Sequence, residues 1–239
     1  MPASRAGRAA TAALPYRACL RPSAKALDFT KMKMGRTEKL FVNSAIHSQW
    51  VARHAEKLLL RTRFERGQRY LDLGCGNGEA PLYLARRHGL AVTGIDVDRD
   101  QIRAAEQAAG GVVDTRFLTL DGTKLPFEDG EFDLVATSKA THHITEWETA
   151  LEELVRVLRP GGYFLYFDLV YPRWIAAAGR RFLSARGGYP TARALDAFVE
   201  RQGLDRLYRL ASIVSYTSIC RRPARSTPIQ SGTQLAATV

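Results

Sequence analysis

The strongest chemical signal in the sequence is a run of glycines behind a short apolar segment. Tyr70 to Leu73 is typical of a buried strand, and Gly74, Gly76 and Gly78 follow it at alternate positions before a helical stretch. Glycines spaced in this way permit a tight turn and let a ligand approach the backbone. The start of the next helix offers unpaired N–H groups to a carboxylate or a phosphate. The run therefore predicts a ligand site at the end of the first core strand.

The spacing of these glycines differs from that of two common phosphate-binding loops. A dinucleotide fingerprint needs a glycine three residues beyond Gly76, where this sequence has Glu79. A P-loop ends in Gly-Lys-Ser or Gly-Lys-Thr, and no such ending follows here. NAD and the phosphates of ATP are therefore disfavoured as ligands.

Acidic residues follow the next two predicted strands. The second strand ends in Asp96, where this architecture holds ribose hydroxyls on a carboxylate. The other interpretation of Asp96 is an N-cap for the next helix, although Asp98 can serve as that cap. Asp121 follows the third strand and can accept a hydrogen bond from an adenine amino group. The two acids predict contacts to a ribose and to an adenine.

A histidine pair, His142 and His143, follows the fourth predicted strand. Histidine is a frequent general base near neutral pH. Neighbouring loop residues point in different directions, so we expect at most one of the two to face a substrate. Packing or capping is the other interpretation of the pair. Lys139, just before it, has two interpretations as well: contact with an acidic substrate, or a solvated lysine.

The elements that position these residues alternate between short apolar runs and amphipathic stretches. This alternation predicts an α/β fold, with a parallel sheet covered by helices on both faces. The predicted strands span 70–73, 92–95, 113–120, 132–137 and 163–167, and the predicted helices span 45–60, 80–88, 100–108, 147–158 and 192–202. Two further strands within 206–220 meet near Ala211 and must pair antiparallel.

The segment 172–190 fits no strand position, and we interpret it as a lid over the ligand cleft. It contains Trp174, Phe182 and Tyr189, and the fifth strand before it ends in Asp168 and Tyr171. These side chains predict a partly aromatic acceptor pocket. The alternative is that the aromatic rings close the core.

Composition bounds the class of protein. The 239 residues are 46% hydrophobic and 25% charged, which is typical of a globular domain. The longest apolar stretch, Tyr163 to Ala178, contains Asp168, Pro172 and Arg173, so the sequence predicts no membrane span. The cysteines, Cys19, Cys75 and Cys220, lack the spacing of a zinc finger or a disulfide scaffold. We expect a reducing, cytoplasmic setting.

The net charge of +11 is concentrated at the two ends of the chain. Residues 1–36 contribute +7 and residues 221–239 contribute +3, which leaves +1 for 37–220. A nearly neutral body predicts no nucleic-acid partner. We expect 1–36 to be a disordered basic leader and 223–239 a disordered tail around a domain at 37–222. The leader is either a mitochondrial targeting segment or sequence upstream of a true start at Met32 or Met34.

Five motifs in this order resemble the class I S-adenosylmethionine-dependent methyltransferases, and more narrowly the small-molecule methyltransferases of type 11. They cover roughly residues 40 to 222. The motifs are Asp72-Leu-Gly-Cys-Gly-Asn-Gly78, Gly94-Ile-Asp96, Asp121 with Leu125-Pro-Phe127, Glu131-Phe-Asp-Leu-Val135 and Leu158-Arg-Pro-Gly-Gly162. The resemblance implies a Rossmann-like, doubly wound sheet of seven strands, in which the last strand is antiparallel.

The resemblance also implies a role for each matching residue. Asp72, Gly74 and Gly76 shape the pocket for the methionine part, while Thr137 and Ser138 lie near the sulfonium. The turn 158–162 is structural, and it ends a helix before the fifth strand. The implied cofactor-binding residues are Asp72, Gly74, Cys75, Gly76, Asp96, Val97, Asp121, Gly122, Thr137 and Ser138, and the implied catalytic residues are His142 and His143.

The implied function is methyl transfer from S-adenosylmethionine to a small organic acceptor, without a metal. A general base is needed only for an acceptor such as a hydroxyl, a carbon acid or a protonated amine. The Asn/Asp-Pro-Pro-Tyr/Phe motif of enzymes that methylate adenine or amide nitrogens is absent after the fourth strand. The alternatives are a cofactor-binding regulator without turnover and a methyltransferase of RNA or protein anchored by the basic ends. The glycine spacing opposes a fourth function, a nicotinamide dehydrogenase.

Overall fold

The computed structural model describes residues 45–182 and 188–224, and the side chains within 48–179 and 188–224. The helices are α1 (Ala45–Leu59), α2 (Glu79–His88), α3 (Arg99–Ala109), α4 (Trp147–Val157), α5 (Arg173–Phe182) and α6 (Ala192–Arg201), with a 3₁₀ turn at Thr141–His143. The strands are β1 (Arg69–Leu73), β2 (Ala91–Asp96), β3 (Thr115–Thr119), β4 (Phe132–Ser138), β5 (Leu158–Leu169), β6 (Asp205–Ala211) and β7 (Ser215–Arg221).

The strands form one sheet in the order β3-β2-β1-β4-β5-β7-β6. Strands β1 to β5 pair in parallel, while β7 runs antiparallel to both β5 and β6. The predicted seven-stranded fold with an antiparallel last strand is confirmed. Because β6 is parallel to β5, the β6–β7 turn lies at the edge where the parallel strands end.

The core consists of two apolar layers, one on each face of the sheet. Alternate strand residues point to opposite faces, so Leu71 packs with α4 and α6 while its neighbour Tyr70 packs with α1 and α2. A smaller cluster around Phe117 joins α2 and α3 to the outer strands. The helices on both faces match the expected doubly wound architecture.

Two elements differ from their predicted form. Strand β5 begins at Leu158 rather than Tyr163, because a bulge inserts residues between the pairs Phe132–Leu158 and Leu134–Tyr163. Gly161, at φ +79°, lies within that bulge. The second difference is in the predicted lid, where residues 173–182 form the helix α5.

Other predictions fall at the borders of the described chain. The predicted leader 1–36, most of the tail 223–239 and residues 183–187 of the predicted lid lie outside the described residues. Among the described helices, none has both the length and the apolar character that crossing a bilayer requires. The domain boundaries 37–222 stay a prediction.

Candidate functional site

The predicted site residues gather where the parallel strands end. Strands β1 and β4 are neighbours, with Leu73 opposite Thr137. Strands β2 and β3 lie on the β1 side of this pair, and β5, β7 and β6 lie on the β4 side. Loops leaving two such strands diverge and open a crevice, which is the usual ligand position in an open α/β sheet. The glycine loop and the segment 139–143 leave the sheet at this point.

The glycine loop is held by backbone hydrogen bonds and needs glycine at two positions. The N–H groups of Gly74 and Cys75 both donate to the carbonyl of Ile95, at 2.8 and 3.0 Å. Gly74 has φ +75°, and a Cβ there would overlap the Cβ of Ala140. At Gly76 (φ +53°) a Cβ would meet no atom within 4 Å. The loop therefore leaves open space above Gly76 and contacts the 139–143 segment at Gly74.

The side chain of Cys75 points away from this space. It is 7% exposed and packs in the cluster of Leu82, Ile102 and Phe117. Burial raises the pKa of its thiol well above the usual value. Only the backbone of Cys75 is available for the predicted cofactor contact.

Asp96 and Asp98 divide the two roles that the sequence leaves open for Asp96. Asp98 is the N-cap of α3, and its side chain accepts a hydrogen bond from the N–H of Asp100 at 3.0 Å. The carboxylate of Asp96 accepts from the N–H of Asp98 at 2.9 Å and from the N–H of Gly76 at 3.0 Å. These bonds use different oxygens, and the carboxylate has further lone-pair capacity to accept a hydroxyl.

Asp72 is a buried acid on the same face of the sheet as Asp96. Asp72 is 4% exposed. Its burial, together with the nearby Asp96 carboxylate, raises the pKa of Asp72 to about 8. Burial also raises the pKa of Asp96, against the lowering effect of the N–H groups of Asp98 and Gly76. A cation bound nearby would favour the ionised form of both acids, which burial disfavours. The two carboxyls next to the open loop are therefore suited to a cationic ligand.

The remaining predicted cofactor residues lie at neighbouring strand ends. One Asp121 oxygen accepts from the N–H and the hydroxyl of Thr123, at 2.9 and 2.8 Å. Gly122 is buried, and a Cβ there would crowd Leu73. Val97 is part-buried beside Asp96. The structure thus places Val97, Asp121 and Gly122 on the β2 and β3 side of the glycine loop.

Thr137 and Ser138 differ in accessibility. Thr137 is fully buried, and its hydroxyl oxygen has no hydrogen-bond partner within the described part of the chain. Ser138 is part-buried. Their predicted proximity to the cofactor's sulfonium stays a prediction.

Lys139 is not a solvated lysine. Its backbone has φ +54°, and its ammonium group lies over the rings of Trp50 and Phe167, at 4.8 and 5.8 Å from their centroids. Burial lowers the pKa of Lys139, and the nearby Asp168 carboxylate partly offsets this. The positive φ turns the chain from β4 into the 3₁₀ turn that carries the histidine pair.

His142 is in contact with a buried carboxylate. Its Nδ1 lies 2.6 Å from Oδ1 of Asp168, a fully buried residue near the end of β5. A carboxylate accepts only, so Nδ1 is the donor in this contact, and in the neutral imidazole the lone pair is then on Nε2. His142 is therefore an oriented imidazole with a basic nitrogen directed away from its carboxylate partner.

Asp168 is itself held by several donors. Its Oδ2 accepts from the N–H and the hydroxyl of Thr141, at 2.7 and 2.5 Å, and its Oδ1 accepts from the N–H of Leu169 at 2.6 Å. The Thr141 hydroxyl also lies 2.8 Å from the hydroxyl of Tyr166. This network fixes the carboxylate, and through it the ring plane of His142.

The ring of His143 contacts the ring of His142 at a tilt of 42°, with the ring centroids 3.9 Å apart. On the other side, the N–H of Gly188 donates to the His142 carbonyl at 3.3 Å, and the N–H of Tyr171 donates to the Pro190 carbonyl. Both described ends of the predicted lid segment are therefore anchored beside the pair of His142 and Asp168. The role of this segment as a lid stays a prediction.

Sequence reasoning placed Asp168 at the acceptor pocket without a partner, and it assigned no role to Thr141 or Tyr166. The available signal was an acid at the end of the apolar run Tyr163-Phe-Leu-Tyr-Phe-Asp168.

Trp174, expected in the pocket or the core, is 73% exposed. Among the described residues, no cluster of three or more metal-ligating side chains occurs.

Comparisons with known proteins agree with this geometry. Residues 71–166 match the Methyltransf_11 family model, described as a methyltransferase domain. A phthiotriol/phenolphthiotriol dimycocerosates methyltransferase of Mycobacterium ulcerans is 41% identical over 104 residues, which is 43% of this chain and 38% of the relative. A 27-O-demethylrifamycin SV methyltransferase of Amycolatopsis mediterranei is 31% identical over 161 residues, 65% of this chain and 59% of the relative.

A solved structure shares the fold. An S-adenosylmethionine-dependent methyltransferase of Aquifex aeolicus superposes with a TM-score of 0.60 at 19% identity, covering 79% of this chain and 99% of that one. The fold is therefore that of an S-adenosylmethionine-dependent methyltransferase, and the family match lies within residues 71–166. The chain spans less than two thirds of the length of the two curated relatives described above.

The site fits the cofactor of this class. The open space above Gly76 admits a ligand against the backbone, and the Asp96 oxygens retain acceptor capacity for two hydroxyls. Asp72 supplies a buried carboxyl suited to the cationic amino group of S-adenosylmethionine. The residues that would hold the cofactor are thus Gly74 to Gly76 by backbone and Asp72 and Asp96 by side chain.

Proposed function

We propose that this protein methylates a hydroxyl oxygen of a small organic acceptor, with His142 as the general base. The observation that carries the proposal is the 2.6 Å contact between His142 Nδ1 and Asp168 Oδ1. A base oriented in this way is needed for a hydroxyl acceptor, which must lose its proton as the new bond forms. The name of the Amycolatopsis relative, a methyltransferase of an O-demethylated compound, supports the same acceptor atom.

The proposed role of His142 follows from its orientation. S-adenosylmethionine, when bound, supplies an activated methyl group and leaves as S-adenosylhomocysteine. The acceptor hydroxyl gives its proton to Nε2 of His142 while its oxygen bonds to the methyl carbon. The imidazolium formed is stabilised by Asp168, which accepts from Nδ1 throughout.

The segment 139–143 supports the proposal by its position. Ala140 lies against Gly74 of the cofactor loop, and His142 follows two residues later. Two residues of chain span at most about 7 Å, so the base and the cofactor loop border one crevice. Proximity of acceptor and donor, with water excluded, supplies the rest of the rate acceleration.

The test is a screen for turnover with the purified full chain. Phenols, aliphatic alcohols, carboxylic acids and amines are incubated with S-adenosylmethionine, and S-adenosylhomocysteine and methylated product are quantified by mass spectrometry. We expect turnover of a hydroxyl acceptor. His142→Ala and Asp168→Asn should lower kcat by about 10²- to 10⁴-fold and leave cofactor affinity unchanged.

The chain offers a matched control for these variants. His88 Nε2 lies 2.7 Å from Glu56 Oε1 between α1 and α2, a histidine–carboxylate pair away from the strand ends. His88→Gln should retain full kcat. Turnover of amines alone, or full activity of His142→Ala, would contradict the proposal. Cofactor binding without turnover of any acceptor would favour a regulator.

A further inference from the structure

The structure has exposed apolar side chains at the edge where the parallel strands end, which is also the edge with the candidate active site. The β6–β7 turn places Ile213 and Val214 at this edge, and they are 78% and 60% exposed. Trp174, on the first turn of α5, is 73% exposed. We call Trp174, Ile213 and Val214 the apolar rim.

The members of the apolar rim are linked through the end of β5. The N–H of Val170 donates to the Val214 carbonyl at 3.1 Å, and Trp174 follows Val170 by four residues. Four residues of chain span at most about 14 Å. Asp168, the partner of His142, lies two residues before Val170. The apolar rim therefore borders the acceptor side of the crevice.

The fold does not require apolar side chains at this turn. Ser212 and Ser215 close the turn through their hydroxyls, at 2.8 Å, and the N–H groups of Val214 and Ser215 donate to the Ser212 hydroxyl. Turn tips usually carry Gly, Asn, Asp or Ser. Ile213 and Val214 contribute little burial to the core, so their exposure indicates a contact that the described residues do not supply.

The chain segment that contains Trp174 is basic in sequence, and its charge selects the kind of partner. From Leu169 to Leu195 the sequence has five arginines and no acidic residue, namely Arg173, Arg180, Arg181, Arg186 and Arg193. Residues 37–168, by contrast, have 20 acidic and 16 basic residues. The near-neutral total for the body thus conceals a basic segment that starts at the acceptor side of the site.

We infer that the apolar rim binds an anionic lipid surface, with its Trp and aliphatic side chains at the headgroup boundary and the exposed Arg173 among the headgroups. Tryptophan, aliphatic residues and arginine together are typical of interfacial binding. Isoleucine and valine do not read nucleic acid, which is bound through stacking and polar contacts. A second copy placed face to face would oppose two basic segments.

This inference deepens the proposed function, on which it rests for one point: the acceptor would be an amphiphile taken from that surface. Binding to the surface is tested without turnover, so the two proposals can fail separately. The full chain is mixed with vesicles of phosphatidylcholine containing about one third phosphatidylglycerol, or of phosphatidylcholine alone, and bound protein is measured by flotation. We expect binding to the anionic vesicles.

The variants assign the binding to the apolar rim. Ile213→Ser with Val214→Ser, and separately Trp174→Ser, should lower vesicle affinity on the order of tenfold or more. Val113→Ser is the matched control, because Val113 is 78% exposed in the loop before β3, at the opposite edge of the sheet. All variants should bind S-adenosylmethionine as the unmodified chain does. Trp174 should also be quenched by lipids with brominated acyl chains, a loss absent in Trp174→Phe.

Several outcomes would overturn the inference. Equal flotation of the rim variants and the unmodified chain would assign binding to another part, such as the basic leader. Absence of flotation would exclude the surface outright. Tight binding of a labelled single-stranded RNA lost in the rim variants, or a dimer in light scattering that Ile213→Ser with Val214→Ser dissociates, would replace the lipid with another partner.

Discussion

The side-chain carboxylate of Asp96 accepts a hydrogen bond from the backbone N–H of Gly76 across 3.0 Å. The contact joins the end of β2 to the middle of the glycine loop, two parts of the chain that are 20 residues apart. One acid therefore shapes the loop and, in the proposed function, also binds the ribose. Removing it should affect the loop and the cofactor together.

Asp96→Ala should weaken S-adenosylmethionine binding by about 1.5 to 3 kcal/mol. The variant loses a charged acceptor for two hydroxyls and the anchor of the Gly76 N–H. Folding should be little affected, because burial raises the pKa of Asp96 and its ionised form is already costly in the folded state. Calorimetric titration of the cofactor and thermal unfolding measure the two effects.

Asp98→Ala is the control for Asp96→Ala and should show the reverse pattern. Asp98 caps α3 through the N–H of Asp100. Losing such a cap costs about 0.5 to 2 kcal/mol of stability, while cofactor affinity should stay close to normal. If both variants lose affinity equally, the acid of β2 acts as a structural anchor only, and the ribose contact is wrong.

The buried carboxyl of Asp72 makes stability depend on pH. Burial and the Asp96 carboxylate raise the pKa of Asp72 to about 8, whereas its ordinary value is 3.8. The folded protein thus binds more protons than the unfolded chain between these values. Stability should fall as pH rises, by at most about 1.4 kcal/mol per pH unit, until the loss is complete above about pH 8.

Asp72→Asn tests this dependence by thermal unfolding between pH 5 and pH 9. The variant cannot ionise, so its advantage in stability over the unmodified chain should be smaller at pH 5 than at pH 8.5, where the loss in the unmodified chain is complete. Its affinity for S-adenosylmethionine should be lower at pH 8.5, because a cationic ligand favours an ionised partner. Parallel unfolding curves for the two proteins at all pH values would refute the raised pKa.

The sequence was sufficient for the contacts that local patterns encode. Asp98 as a cap and the antiparallel hairpin after Ala211 depend on neighbouring residues, and the structure confirms both. The partnership of His142 and Asp168 spans 26 residues and arises only when β4 and β5 pair. The start of β5 was wrong because a Pro-Gly-Gly bulge has the same residue pattern as a turn.

Thr141→Val probes the network behind the base. Valine matches threonine in shape but removes the donor to Asp168 and the partner of the Tyr166 hydroxyl, both of which are buried. The loss should cost about 1 to 3 kcal/mol of stability. It should also lower kcat while KM for S-adenosylmethionine stays constant, since the cofactor contacts are on other elements.

Tyr166→Phe separates the two effects of Thr141→Val. It removes the outer hydroxyl but leaves the Thr141 donor on Asp168. We expect a smaller loss of stability, about 0.5 to 1.5 kcal/mol, and a nearly normal kcat. Equal kcat in both variants would mean that Thr141 supports the fold without positioning the catalytic pair.

Gly74→Ala and Gly76→Ala should fail in different ways although both glycines have positive φ. At Gly74 a Cβ overlaps Ala140, so the variant should lose stability beyond the roughly 1 kcal/mol cost of the left-handed conformation. At Gly76 a Cβ enters open space, so the variant should fold with only that cost and yet bind S-adenosylmethionine poorly. Thermal unfolding and calorimetry distinguish the two. Normal cofactor affinity in Gly76→Ala would place the cofactor away from this part of the loop, because the added methyl group occupies the space assigned to it.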